Sequence, residues 1–169
     1  MRQNLERKAR CPDLNLARQR LAQLAIRAGG VQQQTDTYFH VAHGRLKLRV
    51  IAEETAVLIW YDRPDGTAVR TSKYYLAPAP EPGTFLAALT AALGVRGAVH
   101  KRREIFFYHN VRIHLDEVAG LGTFVEFEAV LTGEVSAEQS QGYLAELTDI
   151  LALKPDDFVA SSYADLLGL

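Results

Sequence analysis

From Gly44 to Val50 the chain alternates cation and apolar residue: Arg45-Leu46-Lys47-Leu48-Arg49-Val50. Successive side chains of a β-strand leave on opposite faces, so Arg45, Lys47 and Arg49 share one face and Leu46, Leu48 and Val50 the other. Five further stretches place charged or polar residues at even spacing inside apolar segments: Glu6 with Lys8, Arg70 with Ser72, Lys101 with Arg103, Arg112 with Asp116, and Glu126 with Glu128. Solvated charges on an outer sheet face would explain any one of them. Across six strands, a sheet closed around a polar interior is the simpler account.

The remaining pattern supplies the elements. Asn4–Ala9 alternates as a strand, Pro12 ends it, and Asp13 can cap a helix whose apolar stripe is Leu14, Leu21, Leu24 and Ala25. Gly29-Gly30 is expected to terminate that helix. Strands follow over 32–41, 45–50, 56–61 and 69–76, with turns at Ala42-His43-Gly44 and Arg63-Pro64-Asp65-Gly66. The proline-rich stretch from Ala77 to Gly83 leads into an amphipathic helix at 84–93 and is taken as the crossover between two halves of one sheet. Beyond it come strand patterns at 95–108 (with a turn expected near Glu104), 111–118 and 123–131. Ser136 caps a third helix running to about Leu153, and Pro155-Asp156-Asp157 opens a short helical C-terminal piece. The predicted fold is α+β: one domain over residues 1–169, an antiparallel eight-stranded β-barrel enclosing a charged tunnel, with peripheral helices.

Composition narrows the chemistry. The chain has 169 residues with 48% hydrophobic and 23% charged, and a net charge of −1. Near-neutrality gives no global attraction to nucleic acid or to an anionic membrane, so the distribution of charge carries the information. One cysteine, Cys11, excludes an internal disulfide. No apolar run approaches the ~18 residues of a membrane span, and the charged N-terminus lacks a signal-peptide core. A cytoplasmic protein without a nucleic-acid or membrane partner is expected, and the third helix is a candidate face for a homodimer.

A shared face of Arg45, Lys47, Arg49, Arg70, Lys101, Arg103 and Arg112 suits a multiply charged anion such as a triphosphate. Glu126 and Glu128, two residues apart on one strand face, suit a hard divalent cation. His40, His43, His100, His109 and His114 form no close-spaced metal motif and are expected in turns and strand packing. Trp60 and Tyr61 are expected between sheet and helix.

Asn4-Leu5-Glu6-Arg7-Lys8 resembles the N-terminal Glu-x-Glu-x-Lys signature of the CYTH superfamily, the triphosphate tunnel metalloenzymes. Further matches run in the same order: 34–39, 44–49, Arg63, 70–72, 101–103, 115–118 and 122–128. The flavour is class IV adenylyl cyclase-like, or thiamine triphosphatase-like. The resemblance implies a divalent-metal-dependent phosphohydrolase acting on inorganic, nucleoside or thiamine triphosphates. It equally allows a class IV adenylyl cyclase making cyclic AMP and pyrophosphate, or a non-catalytic binder of polyphosphate or nucleotides. It adds Arg63 to the substrate-binding cations and Glu6 and Asp116 to the metal ligands for Mg²⁺ or Mn²⁺. It also pairs Lys8 with Tyr38 as catalytic residues. One departure stands out: Asn4 replaces the first glutamate of the signature, and an amide is the poorer ligand for a hard cation.

Overall fold

Eight antiparallel strands close on themselves in the order β1-β5-β4-β3-β2-β6-β7-β8 in a computed structural model that describes residues 1–52 and 55–169. In chain order they are β1 (Arg2–Arg10), β2 (Arg27–Phe39), β3 (Arg45–Ile51), β4 (Thr55–Asp62), β5 (Arg70–Pro78), β6 (Val95–Tyr108), β7 (Val111–Val118) and β8 (Gly122–Val130). The helices are α1 (Leu14–Leu21), α2 (Pro82–Leu93), α3 (Ala137–Ile150) and α4 (Tyr163–Leu166), with a 3₁₀ turn at Pro155–Asp157. Helix α1 joins β1 to β2 and α2 joins β5 to β6, so the proline-rich crossover falls between the two halves of the wall. None of the described helices is long and apolar enough to cross a membrane.

The barrel's apolar core lies mostly outside its wall. Leu5 and Ala9 of β1, Ile113 and Leu115 of β7, and Val125 and Phe127 of β8 pack against Leu14 and Leu21 of α1 and Leu144 and Leu147 of α3. On the opposite side Leu48 and Phe39 meet Phe85, Leu89 and Leu93 of α2. Full burial of each such side chain stabilises the fold by about 1.5–3 kcal/mol. With that work done outside, every second residue of the wall is free to face inward as a charge.

Caps and turns follow local chemistry. Asp13 accepts from the Leu16 N–H at the start of α1, and Ser136 with Gln139 forms a reciprocal capping box on α3. Two expectations are corrected. Helix α1 ends at Leu21, and Gly29-Gly30 belongs to β2, where the pairing with β6 shifts register between Ala28 and Gly30. A Cβ on Gly29 would stand 2.5 Å from the Phe107 ring, so close strand approach, not helix termination, requires the glycine there. Strand β6 runs through Glu104 without turning, because that side chain points outward to Arg18 of α1, at 2.7 and 2.8 Å.

Candidate functional site

The inward faces enclose a cavity of 420 Å³, a volume usual for small-molecule sites. Lys8, Lys47, Arg49, Arg63, Lys101, Arg103 and Arg112 line it, together with Tyr38, Glu6, Glu126 and Glu128. The period-of-two pattern therefore brings together most of the residues it singled out, and all eight strands contribute to the lining, β5 through Ser72, Tyr74 and Leu76, together with the turn after β4.

Asp36 organises the cations. Buried to 1% exposure, it accepts from Lys47 Nζ at 2.9 Å, Lys101 Nζ at 2.7 Å and the Arg49 guanidinium at 2.7 Å twice. Burial alone would raise its proton affinity, but Arg49, Lys101 and Lys47 hold the carboxyl well below its usual range. Burial pushes Lys101 well below the usual lysine range; Asp36 opposes this, while Arg49, Arg103 and Lys47 add to it. The 34–39 stretch was matched as a motif, yet Asp36 was not among the expected site residues. An acid flanked by inward-facing polar positions was the available signal.

A second cluster forms where β1, β7 and β8 meet. Register places Glu126 opposite Lys8 and opposite His114, and Glu128 opposite Glu6 and opposite Arg112. Lys8 Nζ lies 3.3 Å from Glu126 Oε1, and Arg103 donates to Glu126 Oε2 at 2.8 Å. Burial disfavours the Glu126 charge, yet Lys8 and Arg103 help to hold its carboxyl well below the usual range. Glu6 goes the other way: burial and the neighbouring Glu126 raise its proton affinity although Arg63 stands at 2.9 Å. Burial lowers Lys8, with Arg63 adding to it and Glu126 opposing.

The expected pairing of Lys8 with Tyr38 is not formed. Lys8 sits 3.7 Å above the ring of Tyr163, and the cation beside the Tyr38 hydroxyl is Lys47, at 3.4 Å. Tyr163 comes from the C-terminal α4, whose spacing gave no sign of reaching the barrel interior; its hydroxyl donates to Asp116 at 2.8 Å. Burial keeps both tyrosines as neutral phenols, and Asp116 reinforces this for Tyr163 as Asp36 does for Tyr38.

Three expected site residues stand outside the cavity lining. Arg45 reaches Asp65 and Asp165 at 3.0–3.1 Å, tying the 63–66 turn to the C-terminal segment. Arg70 braces Glu6 at 3.3 Å and donates to the carbonyls of Gly66 and Ala160. Asp116 lies behind Arg103, which it holds bidentately at 2.6 and 2.7 Å. Tyr61, expected between sheet and helix, lines the cavity instead, whereas Trp60 on the other face of β4 donates to the His43 carbonyl.

Residues able to hold a cation lie on β7 and β8. One ligand atom each from His114, Glu126 and Glu128 falls within 4.8 Å of the others. His114 Nδ1 is buried and has no hydrogen-bond partner of good geometry, lying 3.5 Å from Glu126 Oε2. The donor set fits a divalent cation. Of the four carboxylates expected as ligands, this grouping contains Glu126 and Glu128; Glu6 and Asp116 are engaged by arginines.

A closed antiparallel barrel with inward cations and a carboxylate cluster defines the class, and residues 2–163 match the CYTH domain. The chain belongs to the CYTH domain family. Among its relatives is a protein of Methanocaldococcus jannaschii named "Putative adenylate cyclase MJ0240", 22% identical over 98% of each chain. The PH1012 protein of Pyrococcus horikoshii shares the fold with a TM-score of 0.82 at 23% identity, covering 96% of this chain and 98% of its own. A Vibrio parahaemolyticus structure titled "putative adenylate cyclase" superimposes with a TM-score of 0.81 at 20% identity, covering 98% of both chains.

Proposed function

We propose that the chain is a divalent-metal-dependent hydrolase of triphosphate compounds. The observation that carries this reading is one enclosed cavity in which Lys47, Arg49, Lys101 and Arg103 stand beside the His114–Glu126–Glu128 cluster. Cations on several strands neutralise a linear polyanion along its length, arginine by paired hydrogen bonds and lysine as a point charge. Preorganised charges of this kind stabilise phosphoryl transfer more than they stabilise the ground state. A bound divalent ion would supply further charge neutralisation and polarise the phosphate oxygens. Lys8, desolvated and lowered in proton affinity, is the residue to orient the attacking water. Tyr163 holds the face of Lys8, and Glu126 holds its ammonium.

A second observation bears on the substrate. Along β3 the inward positions run Lys47, Arg49, Ile51; along β6 they run Lys101, Arg103, Ile105, Phe107; along β1 they run Lys8, Glu6, Asn4. Toward the end away from α4, apolar and amide groups join the charged ones, Phe107 standing across from Arg112, which is itself paired with Glu128. That end suits an organic group attached to the phosphates, which favours nucleoside or thiamine triphosphate over the inorganic compound. It also supports the second reading, a cyclase in which a ribose hydroxyl replaces water as nucleophile, in keeping with the names of the relatives. Incubation with ATP, thiamine triphosphate and tripolyphosphate in Mg²⁺ or Mn²⁺, with orthophosphate resolved from cyclic AMP, tests both. Orthophosphate is the expected product; cyclic AMP with pyrophosphate would replace the hydrolase by the cyclase. Tight binding without metal-dependent turnover would leave a non-catalytic binder.

A further inference from the structure

The antiparallel register of β7 with β8 sets His114 directly across from Glu126, and Glu128 follows two residues on, on the same face. His114 Nδ1 lies 3.5 Å from Glu126 Oε2 and 4.0 Å from Glu128 Oε1. The histidine is 4% exposed, and Nδ1 is enclosed and makes no well-formed hydrogen bond, its nearest contact being the long one to Glu126. A buried ring nitrogen is rarely left in that state without a role. Ligands sharing one first-row ion at bond lengths of about 2.0–2.2 Å stand roughly 3 Å apart when adjacent and up to about 4.4 Å when opposed. The observed separations fall in that interval. Lys8 and Arg103 occupy part of Glu126, and Arg112 stands 3.8 Å from Glu128, but each carboxylate has further lone pairs to offer.

We propose that His114 is a nitrogen ligand of the metal centre, making it a mixed imidazole–carboxylate site that selects Mn²⁺ and later first-row ions over Mg²⁺. Magnesium favours an all-oxygen octahedron and keeps its waters, whereas imidazole suits transition ions and gains affinity along the Mn²⁺-to-Cu²⁺ order. A site built from carboxylates alone would show a smaller preference. The proposal deepens the metal-dependent reading above but concerns binding in the absence of substrate, so the two can fail separately.

The test uses the full chain and Mn²⁺ alone. Titration followed by electron paramagnetic resonance gives stoichiometry and affinity, and echo modulation reports nitrogen bound to the ion. The expected result is one Mn²⁺ per chain with a ¹⁴N modulation that changes to the ¹⁵N pattern when histidine is isotopically labelled. Mn²⁺ should bind about tenfold or more tightly than Mg²⁺ in competition. His114→Gln, compared with the parent by thermal melting, should abolish the modulation and narrow that margin. If the variant does not fold, the labelled parent protein decides alone. Bound Mn²⁺ without nitrogen modulation, modulation that survives His114→Gln, equal affinity for Mg²⁺, or no Mn²⁺ binding would each overturn the assignment. Nitrogen-ligated Mn²⁺ in a protein that turns over no triphosphate would sink the hydrolase and leave the metal site standing; an active enzyme without the nitrogen signal would do the reverse.

Discussion

Asp36→Asn removes the one negative charge on which Lys47, Arg49 and Lys101 converge, at almost unchanged shape. The asparagine can accept through one oxygen only, and its amide hydrogens face ammonium and guanidinium groups that also donate. Asp36 and Lys101 have side chains exposed to only 1% each, and Lys47 and Arg49 to 12% and 16%, so solvent screens the three cations left behind only in part. Deleting one partner of a buried ion pair costs about 3–5 kcal/mol, and that is the loss expected in urea denaturation in a buffer free of multivalent anions. The anion dependence is the sharper measurement. In the parent protein a phosphate must compete with Asp36 for the same donors; in the variant it meets no rival. Tripolyphosphate at a hundred times its dissociation constant stabilises the native state by about 2.7 kcal/mol. At any fixed concentration the gain should be larger for Asp36→Asn than for the parent. A loss under about 1 kcal/mol, or equal anion gains in the two proteins, would refute the view that these cations are held ready by one carboxylate.

Three other outcomes are expected. Because the folded-state proton affinity of Asp36 lies below the ordinary value of 3.8, its contribution is complete above that pH and is lost progressively as pH falls toward the folded value; the gap in melting temperature between parent and Asp36→Asn should therefore narrow below that pH, and a gap that stays constant as pH falls would contradict the assignment. Gly44→Ala places a Cβ 2.8 Å from the Tyr61 carbonyl at a residue with φ of +67°, so chemical denaturation should show a loss of about 1–3 kcal/mol, whereas a neutral result would mean that the β2–β3 hairpin relaxes freely. Phe107→Ala should raise KM for an organic triphosphate by about tenfold while leaving tripolyphosphate nearly unaffected, and equal effects on both would remove the case for an organic-group subsite at that end.

Much of the architecture was legible because β-pairing writes itself in a period of two. Alternation on β1, β3, β6 and β8 identified which residues face inward, and closing the sheet turned those faces toward one another. It could not say how far each side chain lies along the barrel axis. Arg45, Arg70 and Asp116 obey the alternation, yet they brace the 63–66 turn, the C-terminal segment and Arg103 instead of bounding the cavity. His114 belongs to no close-spaced motif along the chain because its partners lie across a strand pair. Tyr163 was invisible for a related reason: its place depends on where the C-terminal segment crosses the barrel end, which no local pattern encodes. Gly29-Gly30 had the composition of a helix stop but serves the approach of β2 to β6, a tertiary demand that overrode the local preference.

The position of β1 has a consequence for how the molecule is made. Residues 2–10 are synthesised first, yet both neighbours of that strand come late: β5 ends at Pro78, and β8 at Val130. One edge of β1 must therefore wait for residues 70–78 and the other for residues 122–130, so the ring cannot shut until β8 has emerged. Such long-range closure places assembly at the slow, millisecond-to-second end of single-domain kinetics. The interval before the ring shuts is when self-association is most dangerous, and the charges at Arg2, Glu6, Arg7, Lys8 and Arg10 guard the waiting strand against stray partners.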